Sequence, residues 1–69
     1  MVMAILKVIE VLAESPTSWE DAAKQAVKEA GKTVRGIRSI YVENFQATVR
    51  DGEVESFRVN AKITFSIDN

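Results

Sequence analysis

The sequence predicts an α+β fold with elements in the order β-α-β-β: a three-stranded antiparallel sheet, strand order 1-3-2, wrapped on one helix. Three observations predict it. First, Arg50-Asp51-Gly52-Glu53 carries an Asp-Gly pair, which favours a two-residue type I′ hairpin because both central residues need positive φ. Second, the segment after that turn alternates. Phe57, Val59, Ala61, Ile63, Phe65 and Ile67 fall on one side, with Ser56, Arg58, Asn60, Lys62, Thr64 and Ser66 on the other, the pattern of a strand with one face toward a core and one toward water. Third, one stretch of helical period lies between an apolar N-terminal run and this hairpin. Two strands running the same way need a crossover, which the helix supplies; the returning third strand then lies between them. Residues 1–69 are expected to form a single domain.

The first strand is expected over Ala4–Leu12, a run rich in β-branched residues. Leu6, Val8 and Leu12 point one way, and Ile5, Ile9 and Val11 the other, with Lys7. Both faces are largely apolar, so the strand needs a second layer, either the helix or another subunit, the plainer alternative being a core strand with some exposed Ile. The helix begins at Ser18, an N-cap with Asp21 three residues on to complete a capping box. Its apolar stripe runs Trp19, Ala22, Ala23, Ala26, Val27, Ala30 and Val34. Because Val34 remains in phase, the helix is expected to continue through Gly31 and end at Gly36, with a stop at Gly31 as the alternative. Trp19, the one tryptophan, is expected to anchor the helix start on the sheet or a neighbour, with a stacking platform for a ligand as the alternative. The second strand runs from about Ile37 to Val49, and its apolar preference switches faces near Asn44, as a bulge would produce.

Composition narrows the function. Nine basic and ten acidic residues leave a net charge of −1, which gives no electrostatic footprint for nucleic acid. Lys7 and Glu10 interrupt the apolar start, so neither a signal peptide nor a membrane partner is expected, and the protein reads as cytoplasmic. The chain has no cysteine and no histidine, which removes the thiolate nucleophile and the usual neutral-pH general base. No enzyme is expected. A chain this short buries only about 60% of its unfolded surface, so self-association is the expected source of stability.

Two polar groupings merit weighing. Asp51, Glu53 and Glu55 at the turn, with Asp68, match no cation-binding loop and read as solvated turn carboxylates. Asn44, Gln46 and Thr48 on one strand and Arg58, Asn60 and Lys62 on the next make a polar sheet face, either plain solvent surface or the lining of a site between subunits.

Ser15-Pro16-Thr17-Ser18-Trp19-Glu20-Asp21-Ala22-Ala23, Lys32-Thr33-Val34-Arg35 and the closing stretch Phe57–Phe65 together resemble the dodecin family, and the resemblance covers essentially the whole chain. It implies a homododecamer, a hollow shell of twelve chains, that holds flavin pairs (FMN or riboflavin) between subunits. Position by position, Ser39 stands where the family stacks a tryptophan on the flavin. Arg58 stands where it has a ring-binding glutamine, and Gln46 where it has a closing arginine. Ser39 has no π-face, so stacking worth about 1–3 kcal/mol per ring is lost. Tyr41, two residues on and on the same face, is a partial substitute. The resemblance therefore implies small-ligand, flavin-type binding and sequestration at subunit interfaces, with Ser39, Tyr41, Gln46 and Arg58 as the ligand-binding set. The alternative is a dodecameric structural or cation-binding shell without flavin.

Overall fold

The computed structural model describes residues 4–67. The order is β1 (Leu6–Ser15), α1 (Trp19–Ala30), β2 (Ile37–Arg50) and β3 (Glu53–Ser66). The three strands form one antiparallel sheet in the order β1-β3-β2, as the alternation and the hairpin predict. Asp51 and Gly52 carry φ of 52° and 78° at the tip, the positive values of a type I′ turn.

Two boundaries differ from the sequence expectation. β1 begins two residues later and runs on to Ser15, because the long third strand offers it partners as far as Phe57. The helix stops at Ala30 with Gly31 as its C-cap, rather than continuing to Gly36. Past Ala30 the bonding tightens: Lys32 N–H reaches Glu29 O at 3.1 Å, and Thr33 N–H reaches Ala30 O at 3.1 Å. Glycine costs about 1 kcal/mol in a helix interior, and short turns satisfy the last carbonyls instead. Gly36 serves the loop into β2. Its φ is 73°, and a Cβ there would sit 3.1 Å from the Ser66 carbonyl oxygen.

The Ser18 cap forms as expected, its hydroxyl accepting the Asp21 N–H at 2.9 Å. The helix lies against one sheet face through its small residues. Ala22, Val59, Ala61 and Ile63 are the fully covered apolar side chains among the described residues. The expected irregularity in β2 is a register shift between Val42 and Asn44. The extra residue turns Phe45 onto the side of Ile40 and Val42, toward the helix, while Tyr41 stays on the far side.

The chain is elongated, 55 × 20 × 14 Å with a radius of gyration of 14.3 Å, against about 11 Å for a compact chain of this length. Ten large apolar side chains remain exposed among the described residues. Leu6, Val8 and Leu12 are among them, on the sheet face away from the helix. The chain by itself leaves much of its apolar surface in water.

Candidate ligand site on the outer sheet face

The antiparallel register sets which side chains share the face that the helix leaves open. Each residue of β3 with an even number, from Ser56 to Thr64, points there, and so do its partners. Gln46 lies opposite Arg58, Asn44 opposite Asn60, Tyr41 opposite Lys62 and Ser39 opposite Thr64. From the other neighbour come Glu14 opposite Arg58, Leu12 opposite Asn60, Glu10 opposite Lys62 and Val8 opposite Thr64. The outer face therefore alternates along β1 between apolar Leu6, Val8 and Leu12 and the carboxylates Glu10 and Glu14, and is mainly polar along β2 and β3.

The four residues expected at the site share this face, but they do not form one cluster within a chain. Gln46 and Arg58 are a direct cross-strand pair. Tyr41, 63% exposed, stands four β3 positions away, roughly 13 Å at about 3.3 Å per residue. Ser39 lies six positions away, roughly 20 Å.

A polar network surrounds Arg58. Its Nε donates to Glu14 Oε1 at 2.7 Å, and the Ser56 hydroxyl donates to the same oxygen at 3.0 Å. Thr48 Oγ1 lies 2.6 Å from Ser56 Oγ. Because the single Ser56 proton is directed at Glu14, Thr48 is the donor of that bond. The chain of bonds thus spans all three strands and converges on the Glu14 carboxylate. Hydrogen bonds from Arg58 and then Ser56 hold the Glu14 pKa below its ordinary value. Glu14, Pro16, Thr48, Glu55, Ser56 and Arg58 line an open depression of about 460 Å³. Only Nε of Arg58 is engaged among the described residues, so its terminal nitrogens remain available as donors. Further along, Lys62 Nζ pairs with Glu43 at 3.0 Å, and that bond raises the Lys62 pKa.

Glu14 is the member that the sequence reading missed. A first strand ending at Leu12 left it outside the sheet; only the pairing of β1 with β3 brings it to Arg58. The signal available was the charge itself, an acid in an extended run that alternates up to it. Of the acids weighed at the turn, Glu55 pairs with Arg50 at 3.1 Å, and Asp68 lies outside the described residues. Among the described residues no three acidic side chains come close enough to hold a metal ion.

A three-stranded antiparallel sheet curled on one helix, with its other face left open, defines the α+β class of this chain. The chain belongs to the dodecin family, whose model matches residues 5–68. It is 34% identical over 65 residues to the calcium dodecin of Mycobacterium tuberculosis, covering 94% of this chain and 92% of that one. Among solved structures, the dodecin of Streptomyces coelicolor superimposes with a TM-score of 0.93 at 28% identity, covering 100% of this chain and 99% of that one. The structure of the M. tuberculosis calcium dodecin, described as calcium-chelating with a novel calcium-binding site, matches with a TM-score of 0.81 at 34% identity. It covers 93% of this chain and 91% of that chain.

Proposed function

We propose that the protein is a dodecin-type binding protein, not an enzyme: in the cytoplasm, copies close into a hollow homododecamer that sequesters a small, flat, anion-bearing ligand at the seams between them. One observation carries this reading. The outer sheet face sets exposed Leu12 beside the Glu14–Arg58–Ser56–Thr48 network, with exposed Val8 and Leu6 further along the same strand. Apolar surface of this kind is covered by association, and the polar network then lies next to the covered region. Arg58 is the charged anchor, able to meet a phosphate or carboxylate with its free nitrogens. Gln46 supplies an amide across the rung, and Tyr41 supplies a ring from another position on the face.

A second reading, a cation-binding shell, is favoured by the likeness to calcium dodecin. The scattered outer carboxylates Glu10, Glu14 and Glu43 would serve a cation only where copies bring them together, since hard cations take six or more oxygen ligands.

Light scattering and two titrations test both readings. A mass of about twelve chains supports the assembly; a stable folded monomer removes it. Quenching of FMN fluorescence, stronger than that of riboflavin and weakened by Arg58→Ala, supports the anionic-ligand reading. Calcium uptake by the assembled protein without any flavin quenching favours the cation shell instead.

A further inference from the structure

Gln46 lies on β2, which has β3 on one side only. It is two residues past the Val42/Asn44 register shift. An edge strand that carries a bulge has lost part of its ladder where the bulge falls. Between that shift and the next, at Thr48/Val49, the pairing with β3 runs unbroken from Asn44 to Thr48, and the backbone groups on the outer edge of this short stretch are left to contacts from elsewhere in the chain.

The contact comes from the helix. Trp19 is the first residue of α1, and its Nε1–H donates to the Gln46 carbonyl oxygen at 2.7 Å. Its ring meets Phe45 edge-on, centroids 5.8 Å apart at 73°, and Phe57 at 5.0 Å and 75°. Phe45 and Phe57 immediately precede Gln46 and Arg58, and their side chains point to the helix side. One indole therefore grips both strands of the rung from behind. Glu14 holds Arg58 from the front. Trp19 is itself well fixed. The adjacent Ser18 caps the helix, and the Asp21 carboxylate accepts from the buried Ser15 hydroxyl at 2.6 Å. Ser15 pairs with Phe57 in the sheet, which closes a loop of contacts around the rung.

We propose that Trp19 is a positioning residue for ligand recognition: by holding the Gln46 carbonyl, it sets the spacing of the Gln46 and Arg58 side chains and thereby the preference for an oxyanion-bearing ligand over a neutral one of the same shape. This deepens the binding reading above and rests on it. A phenylalanine at position 19 keeps an aromatic edge contact but leaves the Gln46 carbonyl without its donor. The rung then loosens while the core residues Val59, Ala61 and Ile63 keep their packing.

The test compares wild type with Trp19→Phe, both as the assembled protein. FMN and riboflavin serve as probes because they share a ring and differ by a phosphate. The expected result is that wild type prefers FMN, and that Trp19→Phe loses at least threefold of that preference without a change in mass. Hydrogen exchange at residues 44–48 rises, while that at 59–63 does not. An unchanged ratio of the two affinities overturns the proposal, since a merely structural role weakens both flavins by the same factor. Should wild type bind neither flavin, the ligand reading fails by itself; exchange at 44–48 then decides whether Trp19 holds the rung, and unchanged exchange overturns it. If Trp19→Phe does not assemble, the wild-type indole N–H resonance takes its place. Bound FMN is expected to shift that single signal, and binding that leaves it unmoved overturns the proposal.

Discussion

The Glu14 carboxylate and the Arg58 guanidinium, 44 residues apart in the chain, meet at 2.7 Å on the outer face of the sheet. Gln46 completes the rung from the opposite strand. In the dodecin resemblance, the glutamine and arginine positions are these same two, with the residue types exchanged. The exchange moves the guanidinium from the edge strand β2 to the central strand β3, within reach of an acid on β1.

Acidification should weaken this pair. Arg58 and Ser56 lower the Glu14 pKa in the folded protein. Its contribution to stability is therefore complete above the unfolded-state value and is lost as pH falls through the lower folded value. Denaturation midpoints measured from about pH 6 downward should fall more steeply in wild type than in Glu14→Gln. Parallel curves would show that the pair contributes nothing. Lys62 behaves oppositely: its raised pKa gives a contribution present at neutral pH and lost only as pH rises through the folded value.

Leu12→Glu should dissolve the assembly. Leu12 is 61% exposed in the single chain, and a carboxylate there is expensive to bury without a partner. Light scattering should show a mass well below twelve chains, with a lower thermal midpoint because few apolar side chains are fully covered within one chain. A variant that keeps wild-type mass would place this face outside the subunit contacts.

Gly36→Ala should cost more than Gly52→Ala. Both glycines have positive φ, a conformation that costs an L-residue about 1–2 kcal/mol. At Gly52 nothing lies within 4 Å of the added Cβ, whereas at Gly36 it would meet the Ser66 carbonyl oxygen at 3.1 Å. Thermal or denaturant midpoints of the two variants should therefore rank with Gly36→Ala the less stable. Equal midpoints would mean that the loop before β2 yields without cost.

Ser39→Trp should raise flavin affinity. Ser39 is exposed on the outer face opposite Thr64, so an indole there displaces no core residue. Stacking of about 1–3 kcal/mol per ring predicts roughly tenfold tighter riboflavin binding or more, read by fluorescence quenching. No gain would argue that this end of β2 does not face the ligand.

The local code of the chain determined its elements. Asp51-Gly52 dictated the hairpin, the even and odd positions of Phe57–Ile67 dictated which face is buried, and Ser18 with Asp21 dictated where the helix starts. These are near-neighbour effects of dihedral preference and side-chain period, so they can be read without the fold. The change of face in β2 also left a trace, since Phe45 disagrees with Ile40 and Val42 until a bulge is inserted. Tertiary structure alone decided the rest. It took β1 on to Ser15 and set Trp19 on the Gln46 carbonyl. It also brought Glu14 to Arg58. Each of these depends on pairing between segments distant in sequence, whose energies are settled only when the strands lie side by side.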